Sequence, residues 1–263
     1  MGTRPHSPRD YLGTLGDLDV RFVAALVMAP RGALPRTRSL NDGILSLARE
    51  TRGRFFPLCS VHPGDGPSAR KEIHRVAREG AKGLKLHPNT QAFDVADPQV
   101  RAVVREAAGL GLPVLFDAYS PFDADQPGKF VRLAMEVPEA RLVLAHAHGP
   151  KFAELLVYDI LARYPWWKRN VWVDLSATAS LLSGGPLADG FGWVLRKVGA
   201  DRLLFGSDYP LDDPLAAVRA VTRLGFSPRE LRKIFYENAV ALFGLEPLAV
   251  RAAAKGAMKP PGR

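Results

Sequence analysis

Apolar positions along the chain follow two rhythms. Near-continuous runs of Val, Leu and Phe appear in RFVAALVMAP from residue 21, FFPLCSVHP from 55, KGLKLHP from 82, PVLFDAYS from 113, RLVLAHAHG from 141, VWVDLSA from 171 and RLLFGSDYP from 202. Each is strand-sized and apolar enough to be covered on both faces. Between them lie segments with helical apolar spacing, among them PQVRAVVREAAGLG (98–111), KFVRLAMEV (129–137) and KFAELLVYDILARY (151–164). Strand starts recur about every 30 residues, the length of a βαβ unit, so the pattern predicts a parallel sheet covered by helices. Two architectures satisfy it: a (β/α)8 barrel or an open doubly wound sheet.

Polar residues separate the two. His62, His87, Asp117, His146 with His148, Asp174 and Asp208 all stand at the C-terminal ends of predicted strands, six strands of the seven. A barrel gathers its site from many strand ends, whereas an open sheet binds at one switch point, often after a Gly-rich first turn. No GxGxxG follows the first strand, and only His6 and His74 of the six histidines lie elsewhere. The expected fold is therefore an α/β, (β/α)8 TIM-barrel-like chain with one strand too few. The residues before RFVAALVMAP do not supply an eighth strand, because MGTRPHSP is loop-like and RDYLGTLGDLD reads as a short helix.

Composition narrows the picture. With 263 residues, 47% of them hydrophobic, the chain can bury one sizeable core, and its 22 prolines and 24 glycines sit at element ends rather than in a linker. A single domain over residues 1–245 is expected, followed by a basic tail, 246–263, expected to be frayed. The lone Cys59 excludes intramolecular disulfides and suits a reducing compartment. No run approaches the roughly 18 apolar residues of a membrane helix, and MGTRPHSPRD lacks a signal-peptide core. A cytoplasmic protein without a membrane partner is the expectation.

A net charge of +9 raises the question of nucleic acid. The arginines, however, alternate with acids, as in LARETRGR and EIHRVAREG, which is the pattern of solvated helix faces, so no nucleic-acid partner is expected. In YPWWKRN (164–170), Trp166 and Trp167 adjoin Lys168 and Arg169; core packing or a subunit contact is the reading for that pair, and a homo-oligomer stays open.

The candidate chemistry begins at RLLFGSDYP, where Asp208 follows strand material. A bare carboxylate at the inner end of a buried strand costs several kcal/mol unless a metal, a cation or hydrogen bonds hold its charge. Here the chain resembles the amidohydrolase-related proteins, metal-dependent hydrolases and decarboxylases built on a (β/α)8 barrel. The resemblance rests on GAKGLKLHP, GLPVLFDAYS, RLVLAHAHG, GADRLLFGSDYP and ENAVALFGL, in family order across residues 8–245. It implies that Asp208 binds a divalent metal or takes a proton from its water, and that His146 is a ligand or a general acid/base. A metal would supply Asp208's countercharge and an activated water. The plainer alternative is that Asp208 caps a helix beginning near Asp212 or accepts backbone amides in the turn.

Two departures stand beside the matches. The family's first strand carries a His-x-His metal pair, and neither strand nor pair is present; the match begins around His6 to Tyr11. Where a second metal-binding His is usual, PVLFDAYS places Asp117. The implied ligand set is Asp208, Asp117 and His146, holding one zinc or manganese ion, with the carboxylates favouring oxygen-loving metals. Asp117 has an alternative, a salt bridge to Lys85 across the barrel mouth. Lys85 and His87 share a strand face by alternation, and Lys85 suits a substrate carboxylate. With Tyr119 and His148 they form the candidate substrate-binding set. His87 is alternatively a loop histidine held before Pro88, and His148, standing where the family has Gly, is either a substrate contact or exposed. His62 reads as a loop or supporting residue, and Asp174 with Ser176 as a structural hydrogen-bonding pair.

The resulting expectation is an enzyme: metal-assisted hydrolysis of a small ester, lactone or amide, or decarboxylation of a small acid. The rival is a barrel that has lost its metal pair and persists as a binding protein; a weaker third is an anion binder driven by the charge. The strand count also leads to the expectation that a strand ending in His-x-His is encoded upstream of Met1, filling the slot between the RFVAALVMAP and RLLFGSDYP strands.

Overall fold

The computed structural model describes residues 7–246. His6, and the tail call beyond Glu246, lie outside the described residues. Seven parallel strands run in sequence order: β1 Val23–Leu26, β2 Phe55–Cys59, β3 Gly83–Leu86, β4 Val114–Asp117, β5 Leu142–Ala145, β6 Val171–Asp174 and β7 Leu203–Leu204. The register is continuous, with Leu58 beside Gly83, Lys85 beside Leu115, Leu115 beside Val143 and Asp174 beside Leu204. The sheet curls into a half-barrel with helices outside it, as alternating βα segments dictate.

The helices follow their apolar spacing. In α3, Pro67–Arg78 (α1 being Pro8–Thr14 and α2 Leu34–Glu50), the buried positions are Ala69, Glu72, Ile73 and Val76, one stripe at helical period. The helix Pro98–Gly109 buries Val100, Val103, Val104 and Ala107 in the same way and is capped by Asp97, whose carboxylate accepts from Gln99 N at 2.8 Å. The short helix anticipated in RDYLGTLGDLD is α1, closed by a reciprocal Ser7–Asp10 capping box. The helix expected over 151–164 is shorter. Residues His146–Leu155 form 3-10 turns, and the α-helix spans only Leu156–Leu161. Positive φ at Ala147, His148 and Gly149, followed by Pro150, prevents an earlier start.

Among the described residues β1 and β7 do not pair with each other. The consequence shows in burial: β2, β3 and β5 are buried throughout, whereas β1 alternates between half-buried and exposed, with Leu26 44% exposed. Aromatic side chains screen the opening instead of a strand. Tyr11 of α1 sits 6.3 Å from the Phe55 ring on one side and 5.0 Å from Tyr209 on the other, and Phe22 stacks on Tyr236 at 6.2 Å.

Behind that screen lies a cavity of about 1000 Å³ running along the strands. A closed eight-stranded barrel fills this space with layers of side chains. A dry, closed apolar void of this volume would cost about 24 kcal/mol at roughly 24 cal/mol per Å³. That exceeds the about 5–15 kcal/mol by which whole domains are stable. The space is therefore open to solvent and not a sealed dry void.

Candidate functional site

The C-terminal ends of the strands carry the polar residues, and a buried hydrogen-bond clasp fixes the first three ends relative to one another. Ser60 Oγ accepts from Ala29 N at 3.0 Å and donates to Lys85 O at 2.8 Å, joining β1, β2 and β3. Asn41 of α2 brackets Ser60, accepting from its N–H at 2.9 Å and donating to its C=O at 3.0 Å. Gln91 donates to Ala29 O at 2.8 Å and Val61 O at 3.0 Å and accepts from His87 N at 2.8 Å. These three residues escaped sequence reasoning; Asn41, a polar residue among apolar positions of an amphipathic helix, was the one readable signal.

On this frame Asp117, ending β4, faces two imidazoles. Its Oδ2 lies 3.1 Å from His146 Nε2 and 3.4 Å from His87 Nε2. Burial pushes the Asp117 carboxyl up, but the His146 hydrogen bond and the nearby charges of His146, His87 and Lys85 outweigh it and hold it below the usual range. His146 is shifted the other way: burial disfavours its charge, yet Asp117, Asp174 and Asp208 raise it above an ordinary imidazole. Burial, aided by the charges of Lys85 and His146, keeps His87 below the ordinary value. The other ring nitrogen of His146 meets Ser176 Oγ at 3.0 Å, and Ser176 in turn donates to Asp174. The result is one chain of polar groups, His87–Asp117–His146–Ser176–Asp174.

Backbone geometry aims these groups. His146, Ala147, His148 and Gly149 are successive left-handed residues, with φ 64°, 44°, 60° and 56°. Such a run of non-glycine residues is strained and persists only where its surroundings hold it. Asp208 is also left-handed, at φ 56°. It lies four residues beyond β7, which is shorter than expected because Phe205 N donates to Ile234 O of the following helical segment. The helix-cap alternative does not hold: Asp213 caps the helix Pro214–Arg223, accepting from Ala216 N at 2.9 Å. Burial holds the Asp208 carboxyl above its ordinary value, reinforced by Asp174 and Asp117 and opposed by His146 and Lys85.

Lys85 is 6% exposed and lines the cavity together with His146, Asp174, Ser176 and Asp208. No hydrogen bond or ion pair to its ammonium is formed among the described residues. The alternative reading of Asp117, a salt bridge to Lys85, is thus not formed, and histidine pairs stand in its place. Burial lowers the Lys85 pKa against the pull of Asp117, Asp174 and Asp208.

Other expected site residues lie elsewhere. His148 is neither exposed nor a cavity residue: it is 1% exposed, its Nδ1 is 2.8 Å from Ala118 O and its ring lies 6.0 Å from Phe130. Burial brings its pKa down to about 4. Tyr119 packs its ring over Gly149, where an added Cβ would come within 2.9 Å of it, and is not among the cavity-lining residues. His87 stands one residue past β3 and caps the helix Pro88–Gln91, so it faces Asp117 rather than the lumen. His62 is a buried support, its Nε2 2.6 Å from Gln91 O. Of the tryptophans, Trp167 is buried against Tyr158 and Trp166 is 51% exposed.

The implied ligand set of Asp208, Asp117 and His146 does not fit a metal. No group of three His, Cys, Asp or Glu side chains among the described residues converges as ligands would. The reason is visible in the donors. Both ring nitrogens of His146 are engaged, and Asp117 is spent on two imidazoles.

The fold is shared with solved structures. The 2,6-dihydroxybenzoate decarboxylase from Rhizobium aligns with TM-score 0.71 at 17% identity, covering 91% of this chain and 88% of that one. The 5-carboxyvanillate decarboxylase from Sphingomonas paucimobilis aligns with TM-score 0.69 at 17% identity, covering 89% and 82%. The 5-carboxyvanillate decarboxylase from Novosphingobium aromaticivorans, solved with manganese and a nitrobenzoic acid, aligns with TM-score 0.67 at 20% identity, covering 89% and 79%. At such identities the likeness concerns the fold alone. No curated protein matches the sequence. A family model described as amidohydrolase matches residues 1–245. Because that match spans nearly the whole chain, the chain belongs to the amidohydrolase family.

Proposed function

We propose that this chain is an acid–base enzyme acting on a small carboxylic acid, ester, lactone or amide, by decarboxylation or hydrolysis, with Asp208 and His146 as its catalytic residues and Lys85 as its anchor for a carboxylate or carbonyl oxygen. The observation that carries the reading is that Lys85, His146, Ser176, Asp174 and Asp208, from four strand ends, all line the lumen. Asp208, whose carboxyl burial holds above its ordinary value, lines the lumen where it can exchange a proton with a reacting atom. Burial disfavours the charged form of His146, but Asp117, Asp174 and Asp208 outweigh it and raise the imidazole above its ordinary value, which suits it to donate to an oxygen that becomes negative in the transition state. Ser176 and Asp174 hold the imidazole on one side and Asp117 on the other, so little reorganisation is needed during reaction.

The second reading, a barrel retained for binding, is favoured by the unfit metal donor set. One assay separates the two. Purified protein, with and without prior chelator treatment, is offered a panel of aryl esters, lactones and carboxylic acids, and ester cleavage or CO2 release is followed. Turnover that survives the chelator and falls at least about 100-fold in Asp208→Asn is expected, the scale of losing a general acid/base. No turnover across the panel, or turnover equal in wild type and variant, overturns the proposal in favour of the binding barrel.

A further inference from the structure

The contacts that make His146 unfit as a metal ligand form an arrangement with its own chemistry. Ser176 Oγ lies 3.0 Å from His146 Nδ1, and Asp117 Oδ2 lies 3.1 Å from His146 Nε2. A hydroxyl within hydrogen-bond reach of an imidazole, whose second nitrogen a buried carboxylate orients, is the geometry of an activated nucleophile. The pairing is selective. His62 and His148 bond through their rings to backbone carbonyls, His74 to Glu106 and His87 to Asp117, so among the described residues Ser176 is the one hydroxyl bonded to an imidazole ring. Ser176 is 5% exposed and lines the lumen with His146, Lys85 and Asp208. It also stands on an unusual turn, between the end of β6 at Asp174 and the helix Thr178–Leu182. Ala177 has φ 58° and ψ −54°, and Thr178 N donates to Ser176 O across it, a γ-turn of the rare, strained kind. Such strain persists only where the surroundings enforce it, and it clusters at reacting residues. The Ala177 N–H forms no hydrogen bond among the described residues. On a strand-to-helix turn, the N–H that follows the nucleophile is a donor to the oxygen that becomes negative.

We infer that Ser176 is a nucleophile, with His146 as its base and Asp117 as the residue that positions the imidazole, and that the site cleaves carboxylic esters through an acyl-serine. The inference rests on the proposed function and narrows its substrate class to esters. His146, its Nε2–H donating to Asp117, accepts the Ser176 proton at Nδ1 while Oγ bonds to the ester carbonyl carbon. The carbonyl oxygen takes a hydrogen bond from the Ala177 N–H as it becomes negative. The C–O bond to the alcohol then breaks, and His146 hands its new proton to the departing oxygen. Water next gives a proton to Asp208 and attacks the acyl carbon, the C–Oγ bond breaks, and that proton passes to Ser176 as the acid leaves. Asp174, which also accepts from Ser176, holds the hydroxyl whenever His146 Nδ1 carries a proton.

The test is covalent labelling, read separately from turnover. The wild-type chain, treated with chelator, is incubated with a fluorophosphonate, from which a reactive serine displaces fluoride, and the adduct is located by peptide mass spectrometry. A single adduct at Ser176 is expected, so the result does not depend on any variant folding. Labelling should disappear in Ser176→Ala and slow at least about 100-fold in His146→Gln, the scale of losing a general base, while each variant keeps the wild-type circular dichroism spectrum. Offered p-nitrophenyl acetate, Asp208→Asn should accumulate acetyl-Ser176, because its second step lacks the proton acceptor. An adduct only at other residues, no adduct, or undiminished labelling of folded His146→Gln overturns the inference. Turnover of the ester panel by a chain that forms no Ser176 adduct also overturns it, yet leaves the proposed function standing. A Ser176 adduct in a chain that turns over none of the panel rejects the proposed function and leaves the activated serine standing.

Discussion

Replacing Glu72 by Gln tests whether the clasp behind the strand ends is held by charge. Glu72 is 1% exposed on α3 and accepts from Arg75 Nε at 2.8 Å and Nη2 at 2.7 Å, from Asn41 Nδ2 at 2.9 Å and from Arg38 Nε at 3.4 Å. Gln keeps the shape, but its NH2 must meet one of these donors. Breaking a buried pair by removing one partner costs roughly 3–5 kcal/mol. Arg75 retains Asp42 at 2.8 Å and is partly exposed, so the lower end, about 3 kcal/mol, applies. For a chain of this size about 2–4 °C is lost per kcal/mol, giving a fall in Tm of about 6–12 °C. The pH dependence has a defined sign. Burial pushes the Glu72 carboxyl up, but Arg75, Asn41 and Arg38 outweigh it and leave it below the ordinary value. A depressed folded pKa contributes stability that is present above the unfolded value, about 4.3, and disappears as pH falls through the folded one. Urea unfolding of wild type and Glu72→Gln should therefore differ constantly from pH 7 to about 5.5 and converge below about 4.3. A melting difference under about 2 °C at pH 7, or one that persists undiminished to about pH 3, refutes the reasoning.

Two further outcomes follow from local geometry. The Cys59 thiol is wholly buried and pushed up to about 12, chiefly by burial, so a thiol reagent at pH 8 should label it only on unfolding; stoichiometric labelling of native protein within minutes contradicts its placement. Gly206→Ala places a Cβ 2.2 Å from Asp174 Oδ2 and 3.1 Å from Ser176 Cβ, so Asp174 must move. A destabilisation of about 1–3 kcal/mol, with a loss of turnover larger than the stability change explains, is expected from thermal melts and rate measurements; unchanged turnover would show that Asp174 does not help to hold His146.

The sequence by itself determined the order of seven parallel strands, the helices between them and the gathering of polar residues at one end of the sheet. These properties are local. A continuous apolar run, a stripe such as Val100, Val103, Val104 and Ala107, or a Ser7–Asp10 capping box reads the same in any context. The shortfall of one strand was legible for the same reason. Only the tertiary structure decided which polar groups meet. Asp117 pairs with His146 and His87 rather than with Lys85 or a metal, because His87 steps past the end of β3 while left-handed backbone at His146 turns its imidazole across to β4. His148, two residues on, is turned inward by the same left-handed run and buried against Phe130. Partnership is also a property of the assembled barrel: Lys85 looks like many lysines until Asp117 proves to be engaged with two histidines and Asp174 with Ser176. The lumen, too, is invisible in periodicity, since alternation tells which side chains point inward but not whether those from opposite walls are close enough to touch.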